Sequence, residues 1–241
     1  MKLRQLFISP YKIMTVAVLT SGLISCGGGS NSPGNTSPST TIDYLNPIGI
    51  VASTSTRSVS IYGKNFANGM TVSVTDKAGT TNYLVGTPVV SSSTEITVNV
   101  NTTATVPTDN YVNVTVKSSS GTTLATAILG VASAPISLAT DVQSIFDAHC
   151  IACHDGSGPS FLDLRSSASV YGLINASSSL CSNKLRVTPG DPRRSSSVLI
   201  DKILASSGQP ACHGDRMPLN GPALSPADIQ TIIDWVAGGA N

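Results

Sequence analysis

The chain has 241 residues, room for one or two domains at roughly 100 to 200 residues each, and a change of composition along its length predicts two. Only 11% of its residues are charged, against about 25% in ordinary globular chains; Ser, Thr and Gly fill the difference, as suits an exported protein. A formal net charge of +1 without a basic patch excludes nucleic acid as a partner.

Lys2, Arg4 and Lys12 give the chain a positive start, and the apolar run from Ile13 to Ile24 is too short for a bilayer, which needs about 20 residues. Residues 1–25 are therefore expected to be an export signal; a buried core helix is the alternative. The run closes on Leu23-Ile24-Ser25-Cys26, which resembles a bacterial lipobox. That resemblance implies that the signal is removed before Cys26, that Cys26 carries a lipid, and that the protein is held to a membrane of the bacterial envelope. Gly27 stands where inner-membrane retention usually wants Asp, which points to the outer membrane. Loss of residues 1–25 removes three of the 14 basic residues and none of the 13 acidic ones, leaving a net charge of −2. After Cys26 the chain to Thr41 is Gly, Ser, Thr, Pro and Asn with no apolar period, and residues 26–41 read as a flexible tether with a reach of roughly 20 Å.

Residues 42–132 read as strands, because β-branched residues alternate with polar ones between Gly, Asn and Asp breaks. Val59 and Ile61, Val72 and Val74, Ile96, Val98 and Val100, and Val112, Val114 and Val116 all keep period two. About seven short strands fit, which predicts a β-sandwich. The segment resembles the IPT/TIG family of immunoglobulin-like domains in Ile42-Asp43-Tyr44-Leu45-Asn46-Pro47, in Val59-Ser60-Ile61-Tyr62-Gly63-Lys64-Asn65-Phe66, and in Asp109-Asn110-Tyr111-Val112-Asn113-Val114. It holds no cysteine and no cluster of His or acidic residues, so its expected role is a spacer or a docking module.

A connector with Pro135 marks a boundary, and the pattern then turns helical. Val142, Ile145, Phe146 and His149 recur at helical spacing behind a Thr140 cap. Further helices are expected around Ser166 to Ile174 and Ser195 to Leu204. In the last, Ser225 caps, Pro226 enters the first turn, Asp228 completes a capping box, Gly238 stops the helix, and Ile229, Ile232, Ile233 and Val236 form its apolar face. Residues 137–241 are thus expected to be an all-α domain following the β domain.

Behind the first helix stands the pentad Cys150-Ile151-Ala152-Cys153-His154, a C-x-x-C-H motif, the attachment signature of a c-type haem. Two thiols three positions apart can each bond one vinyl group of the porphyrin, and the adjacent imidazole then lies under the iron. One pentad predicts one covalent haem c. Of the two methionines in the mature chain, Met70 lies among the strands, which leaves Met217, 63 residues after His154, as the second axial ligand. His213, four residues before Met217, is the competing ligand. Residues 137–241 resemble monohaem cytochrome c domains of bacterial exported proteins, in Cys150 to His154, Pro189-Gly190-Asp191-Pro192, Met217-Pro218 and Ile229 to Ala240 with Trp235. The resemblance implies crossing first and last helices, with Phe146 and Trp235 packed near the crossing.

Three other uses of the cysteines stand beside haem. A zinc site could draw on Cys150, Cys153, Cys181, Cys212 and His213, but a second close cysteine pair is missing. A thioredoxin-like motif would want a βαβ setting, and a disulfide could simply close the pair. With Cys26 assigned to lipid and Cys150 and Cys153 to haem, Cys181 and Cys212 remain, and in an oxidising compartment they are expected to pair. Their 31-residue separation gives about 3.7 kcal/mol on the chain-entropy estimate. Lys184, Arg186, Arg193, Arg194 and Arg216 form a loose basic set suited to haem propionates or to an acidic redox partner.

The expected function is one-electron transfer between a donor and an acceptor redox protein, without catalysis, because iron held by both His154 and Met217 has no vacancy for substrate. The alternatives are a haem peroxidase or gas-binding protein, in which Met217 dissociates, and an adhesion or scaffold lipoprotein led by the strand region.

Overall fold

A computed structural model describes residues 38–157, 162–166, 168–205 and 214–241. The predicted signal segment, Cys26, most of the tether, Cys212 and His213 lie outside the described residues.

Eight strands, where about seven were expected, run from Thr41 to Ala132: β1 Thr41–Asn46, β2 Gly49–Val51, β3 Arg57–Lys64, β4 Thr71–Thr75, β5 Leu84–Ser92, β6 Glu95–Val100, β7 Tyr111–Lys117 and β8 Thr123–Ala132. They form two four-stranded sheets, β1-β3-β6-β5 and β2-β8-β7-β4. The additional strand arises because the chain changes sheets at Asn46-Pro47, so β1 pairs antiparallel with β3 and β2 pairs parallel with β8. Period two decides which residues face inward. Val59 opposes Val98 and Ile61 opposes Ile96 in one sheet, while Val74 opposes Val114 and Val112 opposes Leu129 in the other. These side chains are buried and join Leu45, Ile50, Phe66 and Val131 in one core shared by both sheets.

The expected all-α domain over residues 137–241 is not what this stretch forms. Its helices are short: a π turn Leu138–Val142, α1 Gln143–His149, α2 Ser169–Leu173, α3 Val198–Leu204 and α4 Pro226–Ala237. The described residues between them are largely irregular, tied by isolated bridges such as Asp155 with Asp163 and Ile174 with Val187. Among the described residues strand makes up 32% and helix 19%, so this part of the chain is mainly β. The physical reason lies in the connecting sequence, where Gly, Pro, Ser and Asn recur too often for a helix to propagate. Nor does this stretch stand apart, since Ser37–Asn241 forms one compact unit.

Local details depart from expectation at both ends of the lobe. The first helical turn begins at Leu138, and Thr140 lies inside it; Asp141 closes the turn by accepting from the Ser137 N–H at 2.8 Å and the Thr140 hydroxyl at 2.9 Å. His149 is exposed, off the buried stripe of Val142, Ile145 and Phe146. At α4, Ser225 accepts from the Asp228 N–H at 3.1 Å, and its hydroxyl donates to the Asp228 carboxylate at 2.7 Å. Gly238 ends the helix with φ −71, and the left-handed residue is Gly239, one position later.

The lobe has its own core, in which Phe146 and Trp235 are both fully buried among Val142, Leu173, Ile200 and Ile232. The Trp235 indole N–H donates to the Asn241 carbonyl at 3.1 Å. Among the described residues no helix is long and apolar enough to cross a membrane.

Candidate functional site

α1 runs directly into the pentad. The Cys150 N–H donates to the Phe146 carbonyl at 2.8 Å, and the His154 N–H donates to the Cys150 carbonyl at 3.0 Å. Helical hydrogen bonding therefore continues through the motif, and positions 150, 153 and 154, three and four apart, share one side of the turn. Both thiols are free; Cys150 is half-buried and Cys153 is exposed. Cys150 and Ile151 rest against the lobe core, which anchors the inner side of the motif. Burial pushes the Cys150 thiol up to about 11. Burial also lowers His154 below the ordinary imidazole value, favouring the neutral ring, the form that offers a lone pair to a metal.

A residue that the sequence reading passed over holds this motif in place. Gln143, in the first turn of α1, is buried. Its amide donates to the Leu164 carbonyl at 2.7 Å and to the Asp147 carboxylate at 2.8 Å, and its carbonyl oxygen accepts from the Ser169 hydroxyl at 3.1 Å. Leu164 in turn donates its N–H to the His154 carbonyl at 2.8 Å. One glutamine thus links α1, α2 and the returning chain, and through Leu164 it fixes the backbone of His154. A polar residue beside Val142 on the inward stripe was the only signal in the sequence, and a polar residue at such a place normally reads as solvent-facing.

Met217 reaches the lobe from a different element. Its N–H donates to the Lys202 carbonyl in α3 at 3.0 Å, and its side chain is half-buried. Arg216 braces the same loop by donating to the Met217 carbonyl at 3.4 Å and the Gly221 carbonyl at 2.9 Å. The cysteine pair and His154 therefore share one turn, while Met217 is carried by a loop tied to α3. Cys181 is buried and disulfide-bonded; its expected partner, Cys212, lies outside the described residues, as does His213.

Four of the five residues in the expected basic set are used within the lobe. Arg193 makes a two-point pair with Asp191 at 2.8 and 2.6 Å, and Arg194 pairs with Asp201 at 2.9 Å. Arg186 donates to the Gly172 carbonyl at 2.8 Å, and Arg216 braces the loop just described. Arg193 and Arg194 are thus ion-paired, whereas Arg186 and Arg216 meet neutral backbone carbonyls. A cleft of about 470 Å³ opens between β1, β8 and residues 188–193, but Cys150, Cys153, His154 and Met217 do not line it.

Among the described residues no group of three or more His, Cys, Asp and Glu side chains is arranged to hold a metal ion. A two-thiol attachment with one imidazole and one thioether needs no such group. The free pair on one turn, with a half-buried imidazole directly after it, has the donor types that covalent haem requires, and Met217 is a half-buried thioether on a separate loop. No family model matches the chain, and no curated protein matches it either.

Proposed function

We propose that this protein is a lipid-anchored monohaem cytochrome of the bacterial envelope, carrying one electron between a donor and an acceptor redox protein. The observation that supports this most is the free Cys150 and Cys153 pair on one helical turn with His154 half-buried directly behind it. Cys150 and Cys153 would hold haem c through thioether bonds, and His154 and Met217 would be its axial ligands. When bound, the haem supplies an iron that takes up and gives up one electron.

The chain's own residues set the conditions for that chemistry. The core contact of Cys150 fixes one attachment point, and the exposure of Cys153 leaves the other open to attachment. Gln143, acting through Leu164, holds the backbone that presents His154. Lys202 and Arg216 hold the loop that carries Met217. The lipid on Cys26 would keep the carrier at the membrane, more readily the outer one, and redox proteins would meet it there.

The test is expression of the full chain with a haem-ligation system, followed by a pyridine haemochrome spectrum and the mass of the purified protein. One haem per chain that resists acidic acetone is the expected result, with attachment lost in Cys150→Ala/Cys153→Ala. A colourless product, or pigment that washes out, overturns the reading. In the holoprotein, the weak near-infrared band of methionine-ligated ferric haem should vanish in Met217→Ala; its absence from the unmodified protein would favour His213 instead. Membrane attachment that persists unchanged in Cys26→Ala would remove the anchor.

A further inference from the structure

The strand region was expected to be a spacer or a docking module; its end meets α4 and the Pro189-Gly190-Asp191-Pro192 loop at points of direct backbone approach, beside the cleft between β1, β8 and residues 188–193. A Cβ at Gly49 in β2 or at Gly130 in β8 would overlap the carbonyl oxygen of Ala237, the last residue of α4. From the other side, a Cβ at Gly190, where φ is +76, would overlap the carbonyl oxygen of Ile48, between β1 and β2. Backbone meets backbone at each of these points because the side chain is missing.

A buried polar cluster spans the same junction. Asp234 of α4 is 3% exposed. Its carboxylate accepts from the Asn110 side-chain amide at 2.9 Å, from the Ser133 N–H at 2.9 Å, and from the Ser133 hydroxyl. Asn110 also donates to the Val131 carbonyl at 3.2 Å, so the residue that holds Asp234 is itself fixed to β8. Gln230, one turn earlier on α4, donates to the Asn110 side-chain oxygen at 3.4 Å. Beside this cluster, the Arg193 guanidinium lies 5.8 Å from the ring centroid of Tyr111 at the start of β7. A buried carboxylate stripped of these donors would be left costly and unsatisfied within the junction.

We propose that the β-sandwich is the seat of the C-terminal lobe, locked to it through Asp234 and the three glycines, and that the two unfold as one cooperative body. α4 is the shared element: Ile232, Trp235 and Val236 belong to the lobe core, whereas Asp234 and the Ala237 carbonyl meet the sandwich. A lobe locked in this way does not swing on the connector between Ala132 and Leu138. This inference is independent of haem, since none of the junction residues is a proposed haem ligand.

The protein carries its own probes. Trp235 is the only tryptophan in the sequence, so its fluorescence reports on the lobe, while the backbone amide NMR signals of Val59 and Val114, buried in the sandwich core, report on the strands. In urea, the full chain should show coincident transitions by both probes. Val98→Ala, in the core of the β1-β3-β6-β5 sheet and away from the junction, should lower both midpoints by the same increment. Asp234→Leu, which removes the carboxylate and leaves Asn110 and Ser133 without their acceptor, should pull the two transitions apart. If the Trp235 midpoint stays in place in Val98→Ala while the midpoint of the Val59 and Val114 signals falls, the sandwich is a spacer and the proposal fails. Two separate transitions in the unmodified chain would overturn it equally. Should Asp234→Leu not fold, the unmodified chain and Val98→Ala decide the matter alone.

Discussion

Between Thr41 and Ala132 the chain buries its apolar side chains through long regular ladders, whereas the described residues between Leu138 and Asn241 do so with a π turn and four helices, the longest of twelve residues. Among the described residues the two cores are nonetheless of similar size, with 16 buried residues in the sandwich and 14 in the lobe. The sandwich draws its order from backbone pairing that repeats along each strand. The lobe draws its order from single side chains such as Gln143, Ser197 and Asp191, which tie loops to helices one bond at a time. Regular pairing tolerates the loss of one contact better than a set of individual ties does.

Truncation in the lobe core is the severest challenge to that comparison. Trp235→Ala removes the largest fully buried side chain and should cost roughly 3–5 kcal/mol, read by urea unfolding followed in the far-UV. A loss below about 1 kcal/mol would mean that the lobe core is looser than its burial indicates. At the junction, Asp234→Asn keeps one acceptor and gives up the other, and should cost about 1–3 kcal/mol in the same assay. Removing the α4 cap with Ser225→Ala should cost about 1 kcal/mol; a cost near zero would mean that burial alone holds the end of the helix.

The smallest effect belongs to the sandwich. Asp76, in the turn after β4, accepts from the Thr80 hydroxyl at 2.6 Å and from the Thr80 and Thr81 N–H groups at 2.7 and 3.2 Å. The Thr80 hydroxyl foremost, together with these backbone donors, holds the carboxyl at about 2, below its ordinary value of 3.8. A folded value lowered in this way stabilises the fold above the ordinary carboxylate range, and the contribution fades as pH falls from that range towards 2. Carbon-detected NMR titration should find Asp76 ionised at pH 3; a midpoint near 4 would show that the turn does not grip it.

The sandwich was legible in the sequence because period two is a local property: each of Val112, Val114 and Val116 marks its own face. The all-α expectation for 137–241 failed where periodic fragments at Ser166 to Ile174 and Ser195 to Leu204 were read as full helices. Tertiary ties shorten them to Ser169–Leu173 and Val198–Leu204, as where the Ser197 hydroxyl is taken up by the Thr188 N–H and the Asp191 carbonyl. The pentad shows its two thiols and its imidazole within five consecutive positions, so the haem proposal could be framed from sequence alone. Gln143 and Asp234 could not, because their partners stand 21 and 124 residues away, and sequence spacing carries no sign of such pairings. The close approaches at Gly49, Gly130 and Gly190 emerge only from the carbonyl oxygens that meet them, which no local sequence pattern marks.

The seating of α4 on β2 and β8 also restricts who can reach the lobe. With the α4 flank covered by sheet, a protein partner of the kind proposed would have to reach the lobe elsewhere, and encounters on the covered side would be unproductive. Orientation of this kind lowers association rates before any recognition begins, and it favours partners that lie on a surface and meet the same flank every time.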